Sequence, residues 1–132
     1  MNRRLTLGLA IAAVVASTAV VRAAVFEVRV ENYDFNPPAL TIAPGDSVHW
    51  TNVGTVPHTV TRGSNCTWDG DFDSGVLQPG QDWGYVFDQT DAGTHEYFCQ
   101  FHCGMGMHAT LTVDVPNPVK ESSWGKIKSL YQ

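Results

Sequence analysis

Positive charge is scarce in the main part of this sequence. Between residues 24 and 116, Arg29 and Arg62 are the only basic side chains, whereas twelve side chains are acidic, so the formal charge of this stretch is −10. A surface of this sign repels phosphate groups, which argues against nucleic acid or an anionic membrane as a partner. A protein partner with a basic docking face fits the charge better.

Long hydrophobic runs are also lacking, apart from one near the start. Residues 5–21 are largely apolar, follow Arg3 and Arg4, and lead to a small residue at Ala23. These seventeen residues fall short of the roughly 18 that a membrane span needs, and the charged start is typical of an export signal. We therefore expect residues 1–23 to be removed from an exported protein, periplasmic or extracellular. An uncleaved segment that anchors the protein in a membrane is the alternative.

The sequence has no internal repeat, and from residue 25 to 116 it shows strand patterns instead of helical ones. Short alternating runs are separated by turns rich in Pro, Gly and Asp. We predict strands at residues 26–30, 40–42, 47–52, 58–61, 81–87, 94–99 and 109–115. This predicts an all-β fold, a Greek-key β-sandwich, as one domain over residues 24–116. Residues 62–80 are expected to form a long loop, and residues 117–132 a short basic tail.

One stretch concentrates side chains that bind soft metal ions. Residues 97–108 bring together thiol, imidazole and thioether groups, among them Cys99, His102 and Met107. A thiolate, two imidazoles and a weak axial thioether are the ligand set of blue-copper electron-transfer sites. The second imidazole must come from elsewhere in the fold, and His58, near the start of a predicted strand, can supply it. The sequence therefore predicts a mononuclear copper site.

Several segments resemble the plastocyanin-type cupredoxins. They are Phe35-Asn36-Pro37, Pro44-Gly45-Asp46-Ser47-Val48-His49-Trp50, Phe72-Asp73-Ser74-Gly75-Val76-Leu77-Gln78-Pro79-Gly80 and Tyr97-Phe98-Cys99, and the likeness covers nearly all of residues 25–115. In that family the copper ligands are a His after a Pro, then Cys-x2-His followed by a Met, which His58, Cys99 and His102 match in order. The resemblance implies a soluble carrier that passes single electrons between redox proteins on one copper ion, with no small-molecule substrate.

Two methionines fit the fourth ligand position. Members of the family place either two or four residues between the His and the Met, so Met105 and Met107 are both candidates. The strand beyond favours Met107, because residues 107–113 resemble the family pattern Met-x-Gly-x-Val-x-Val with Ala109 at the small position. Met107 is therefore predicted as the axial ligand, and Met105 as a packing residue that shields the metal.

The odd number of cysteines is explained by the same assignment. If Cys99 is a free thiolate ligand, Cys66 and Cys103 remain, and an oxidising compartment favours a disulfide between them. Such a bond would connect the predicted loop after His58 to the metal-binding loop and brace His102. A free, buried Cys103 is the alternative.

Other copper sites match the sequence less well. A binuclear site would use both Cys99 and Cys103. It would also need a His at position 107 and a Met at position 110, where this chain has Met107 and Thr110. A site built on Cys103 and His108 would need an axial methionine at position 112, where this chain has Thr112. The mononuclear site therefore remains the prediction.

The flanking residues and the remaining histidines bear on enzymatic function. Copper enzymes of related fold bind a second copper through further histidines, often beside the Cys ligand, but Phe98 and Gln100 flank Cys99. We expect the other histidines to be solvated surface groups: His49, His95 and His108. The sequence thus predicts a carrier and no enzyme, with copper trafficking or storage as the alternative function.

Overall fold

The computed structural model describes residue 8, residues 10–16 and residues 22–116. The predicted basic tail at 117–132 and much of the predicted export signal therefore lie outside the described residues. Within these ranges, no helix has the length and apolar character needed to span a membrane.

Nine strands form two packed sheets in the described part of the chain. In chain order they are β1 Val25–Glu31, β2 Asp34–Asn36, β3 Ala39–Ile42, β4 Ser47–Asn52, β5 Thr61–Ser64, β6 Thr67–Asp73, β7 Asp82–Val86, β8 Gly93–Phe98 and β9 His108–Val113. One sheet has the order β2-β1-β4-β7 and the other β3-β9-β8-β5-β6. The prediction of an all-β Greek-key sandwich is confirmed.

Aromatic rings fill the space between the sheets. Alternate side chains of β4 point inward, and Trp50 is fully buried at the centre. Its ring centroid lies 5.7 Å from that of Tyr97, 6.2 Å from Phe72 and 6.4 Å from Phe87. Burial raises the pKa of Tyr97 to about 12, so its phenol stays neutral. Losing one such ring would cost about 3–5 kcal/mol, so this cluster is the rigid frame for the loops at the sandwich ends.

The segment predicted as a long loop contains a hairpin, so that prediction was wrong. Residues 62–80 include most of β5 and all of β6, which pair antiparallel across a two-residue turn. The turn residues Asn65 and Cys66 have left-handed φ values of 51° and 57°, as a tight hairpin turn requires. Phe72 is the only buried side chain of β6, so this strand has no alternating pattern that sequence analysis could detect.

The strand predicted at residues 58–61 is mostly irregular. His58 forms a single antiparallel bridge with Leu77, and β5 begins three residues later. Side-chain hydrogen bonds replace the strand ladder here, since the Val60 N–H donates to Ser74 Oγ at 2.8 Å. The short strand β2 was not predicted, because three residues are too few to show a period.

The prediction that His95 is a solvated surface group was also wrong. Strand β8 begins at Gly93, which brings His95 into the sandwich with 6% exposure. One of its ring nitrogens contacts the carbonyl oxygen of Asp91. His108 is exposed as predicted, and His49 is half-buried.

Candidate metal centre

Three of the predicted ligands converge at one end of the sandwich. His58 lies between β4 and β5, Cys99 directly follows β8, and His102 lies in the loop from β8 to β9. The Cys99 Sγ atom is 3.7 Å from Nδ1 of His58 and 3.5 Å from Nδ1 of His102, and the two Nδ1 atoms are 3.2 Å apart. Among the described residues, this is the one cluster of three or more candidate His, Cys, Asp or Glu ligands.

The triangle formed by these three atoms has the size of a metal site. The point equidistant from them lies about 2 Å from each, close to the metal–nitrogen and metal–sulfur bonds of about 2.0–2.3 Å known for zinc. Without a cation, two imidazole nitrogens and a sulfur face one another with too few hydrogens to bond every pair. A soft or borderline cation such as copper resolves this conflict, so the residues fit the metal.

Burial favours the metal-binding form of His58. Its side chain is fully buried, and this desolvation lowers its pKa from the usual 6.5, with the neighbouring His102 lowering it further. A neutral imidazole leaves its Nδ1 lone pair free for a metal ion. Cys99 is also fully buried and is the free cysteine among the residues described.

The two candidate axial methionines lie in different environments. Met107 is fully buried in the same core cluster as Cys99, whereas Met105 is 63% exposed. The Cys99 N–H donates to the Met107 carbonyl oxygen at 3.1 Å, and the Met107 N–H donates to the His102 carbonyl oxygen at 3.3 Å. Burial and these backbone contacts favour Met107 as the fourth donor.

The His58 side of the site is fixed by its neighbours before any metal binds. The His58 N–H donates to the Leu77 carbonyl oxygen at 3.0 Å, and the Leu77 N–H donates in return at 2.8 Å. Asn52, buried at the end of β4, donates from its amide to the carbonyl oxygens of Val56 and Leu77 at 2.9 and 2.8 Å. These bonds hold the irregular segment in one place.

A second group of hydrogen bonds reaches the Cys99 sulfur. The Thr59 N–H donates to Cys99 Sγ at 3.4 Å, and the Thr59 hydroxyl accepts the Gln100 N–H at 2.9 Å. Thr61 Oγ1 lies 3.0 Å from the Thr59 hydroxyl and 2.9 Å from a carboxylate oxygen of Asp73. Hydrogen bonds to a ligand sulfur reduce its electron donation, so this network would both position and tune Cys99 as a metal ligand.

The structure contains the predicted disulfide. Cys66, in the turn between β5 and β6, is bonded to Cys103, and their Cα atoms are 5.7 Å apart. Cys103 directly follows His102 and begins the 3-10 turn Cys103–Met105. The bond therefore joins the hairpin to the ligand loop, one residue from a predicted ligand.

His102 is the predicted ligand nearest to solvent. It is half-buried, whereas His58, Cys99 and Met107 are fully buried. The exposed rings of Tyr33 and Phe101 flank it, with centroids 4.9 and 6.3 Å from the imidazole centroid. Exposed aromatic rings thus flank the one predicted ligand that is not fully buried.

The residues around the ligands were not predicted from the sequence. Thr59 and Gln100 directly follow His58 and Cys99, and this adjacency was the available signal for them. Asp73 and Tyr33 come from distant segments, and no pattern in the sequence connects them to the site.

The sandwich and the His-Cys-His cluster at its end define the class of protein, a cupredoxin with one copper ion. The sequence model of the copper binding proteins of the plastocyanin/azurin family matches residues 23–114. This chain belongs to that family.

Individual relatives agree with this assignment. The plastocyanin of Scenedesmus fuscus is 33% identical over 85 residues, which cover 60% of this chain and 85% of that protein. Amicyanin-alpha of Methylorubrum extorquens is 30% identical over 76 residues, 58% of this chain and 62% of that protein. Among solved structures, a novel purple cupredoxin from Nitrosopumilus maritimus aligns with a TM-score of 0.59 and 28% identity, over 67% of this chain and 99% of that one.

Proposed function

We propose that this protein carries single electrons between redox proteins on one copper ion bound by His58, Cys99, His102 and Met107. The observation that carries the proposal is the triangle of two imidazole nitrogens and a thiol sulfur, 3.2 to 3.7 Å on a side. With the buried thioether of Met107 as the proposed fourth donor, these ligands make up the blue-copper donor set. Copper supplies the change of one electron, and the chain supplies the same donors in both oxidation states.

The contacts around the ligands favour electron transfer without rearrangement. His58 is held by Leu77 through two backbone hydrogen bonds, and the Cys99 N–H is bonded to the Met107 carbonyl oxygen. Groups that are already in place need no reorganisation when charge changes at the centre. Such a site suits a carrier, and no enzymatic role is proposed.

Electrons are proposed to pass through the imidazole edge of His102. This is the half-buried ligand, and the loop after it presents Gly104, Met105 and Gly106 as exposed residues beside the edge. A partner that contacts these residues comes close to the metal without displacing a ligand.

The partner is proposed to carry a basic docking face. Residues 24–116 have a formal charge of −10. Three of the carboxylates lie exposed on β6, at Asp69, Asp71 and Asp73, and Arg62 pairs with the first two. Opposite charges increase the rate of encounter at low salt. The rate of electron transfer to a basic redox protein should therefore fall as ionic strength rises, and a rate that rises with salt would contradict this part of the proposal.

Export to the periplasm or the cell exterior is proposed with cleavage of residues 1–23. The charged and apolar pattern of the first residues supports it, and a disulfide is typical of oxidising compartments. Amino-terminal sequencing of the protein recovered from its native host tests the cleavage.

Copper reconstitution tests the carrier function. The cupric protein should show an intense thiolate-to-copper charge-transfer band and a narrow single-copper hyperfine pattern. Cys99→Ser should abolish the band, while Cys103→Ser, the matched control, should keep it. A protein that binds copper without this band would be one for trafficking or storage.

The axial ligand is tested with a pair of matched variants. Met107→Leu should shift the reduction potential, because it removes the proposed axial thioether, which is fully buried. Met105→Leu should leave the potential nearly unchanged, since this side chain is 63% exposed. The reverse pattern would assign the axial position to Met105.

A further inference from the structure

Tyr33 has a backbone conformation that glycine adopts with less strain. It is the second residue of the two-residue turn between β1 and β2, where Glu31 pairs with Asp34, and its φ is 68°. In this left-handed region the Cβ atom of an L-residue approaches the following carbonyl oxygen, so a bulky side chain is rare there. Strain of this kind persists only where the surrounding structure enforces it, and it is concentrated at functional sites.

The ring of Tyr33 contacts a proposed copper ligand instead of a core. Its centroid lies 4.9 Å from that of His102, with the two ring planes at 85°. Such edge-to-face pairs are attractive. Tyr33 is 46% exposed, so it is not a core residue that the turn places between the sheets.

The turn that carries Tyr33 is fixed to the segment leading to His58. The Asn32 side-chain amide donates to the Thr55 hydroxyl at 3.0 Å, and the Thr55 N–H donates to the Asn32 side-chain oxygen at 2.9 Å. A Cβ atom at Gly54 would clash with that same oxygen, so the two segments are in close contact. The Tyr33 ring is therefore held against His102 by a defined scaffold.

We propose that Tyr33 is a positioning residue for His102, whose ring prevents the imidazole from turning outward to solvent. This inference rests on the proposed role of His102 as a copper ligand. Since the other three proposed ligands are fully buried, departure of His102 is the step that opens the site to copper loss. The Tyr33 ring blocks that step, and the strained turn keeps the ring in place.

Four variants test the proposal through copper release and stability. Tyr33→Gly and Tyr33→Asn accept the left-handed turn but lack the ring, Tyr33→Phe keeps the ring, and Asn65→Gly changes another left-handed residue in the β5–β6 turn. With excess chelator, the blue colour of the Gly and Asn variants should fade about fivefold faster, the rate equivalent of a ring contact of about 1 kcal/mol. The Phe variant and the Asn65 control should release copper at the wild-type rate.

Stability of the metal-free forms separates positioning from simple packing. The urea midpoints of the Gly and Asn variants should be equal to or above wild type, because the relief of backbone strain offsets the loss of the ring contact. Unchanged copper release in these two variants, or midpoints well below wild type, would overturn the proposal.

The ring contact itself is tested without copper. An NMR cross-peak between the Tyr33 and His102 ring protons of the metal-free protein should be present, and its absence would contradict the inference. A cross-peak together with cupric wild-type protein that lacks the charge-transfer band would contradict the proposed electron-carrier function. It would leave the contact between Tyr33 and His102 established.

Discussion

The two histidines of the site are held in place by different means. His58 is fully buried, and backbone hydrogen bonds to Leu77 fix it from the side of the sandwich. His102 is half-buried on a short loop, next to a disulfide and under the ring of Tyr33. The difference shows how one site remains rigid and still faces a partner: hydrogen bonds hold the buried side, while a covalent link and a surface ring hold the open side.

Removing each histidine should give the largest contrast between the two sides. His58→Gly and His102→Gly should both lose the blue colour, because each lacks one of the strong donors. Added imidazole should restore the colour of His102→Gly, where the vacated position opens to solvent, and leave His58→Gly colourless. The measurement is a titration of the visible spectrum with imidazole, and equal recovery in both variants would break the comparison.

Removing the disulfide should lower the stability of the protein, because the bond braces the loop that carries His102. The bond joins residues 37 positions apart, so Cys66→Ser combined with Cys103→Ser should lower the free energy of unfolding by about 3–4 kcal/mol. The charge-transfer band should remain, because Cys99 is not part of the bond. Urea unfolding of the metal-free protein measures the loss.

A thiol reductant supplies the control for this experiment. It should destabilise the wild-type protein and leave the double variant unchanged. A wild-type protein that is equally stable with and without the reductant would show that the disulfide to the hairpin does not support the ligand loop.

A smaller effect is expected on the buried side, at Thr59. Thr59→Val removes the hydroxyl that accepts the Gln100 N–H and should cost about 0.5–1.5 kcal/mol, the typical net contribution of one hydrogen bond. The variant should also weaken the hydrogen bond from the N–H of residue 59 to the Cys99 sulfur. The reduction potential should then fall, because the thiolate donates more charge to cupric copper. Potentiometric titration measures this change.

The matched control is Thr112→Val. The Thr112 hydroxyl lies 2.9 Å from that of Thr94, on the exposed face of the sheet. This variant should leave the potential unchanged. A decrease as large as that in Thr59→Val would mean that the network beside Cys99 does not tune the metal.

The sequence predicts the ligand loop better than it predicts what surrounds it. Cys99 and His102 lie in one short motif whose spacing follows from local geometry. The pattern of the strand after Met107 indicated which methionine is the axial ligand. Tyr33 reaches the site only through the packing of a distant turn, and no local pattern indicates such a contact. For the same reason the hairpin within residues 62–80 was missed: its exposed acidic strand has no buried face to set a period.

The smallest expected effect is a pH dependence that belongs to His58. Burial lowers the pKa of this imidazole below 6.5, so the unfolded chain binds a proton more readily than the folded metal-free protein. The free energy of unfolding should therefore decrease as the pH falls below about 6.5, and level off once the pH is below the folded pKa. Urea unfolding of the metal-free protein at a series of pH values measures this slope. The slope should be reduced in His58→Asn. It should be unchanged in the control His108→Asn, which replaces an exposed histidine. A slope that persists in His58→Asn would show that the buried imidazole does not cause the pH dependence.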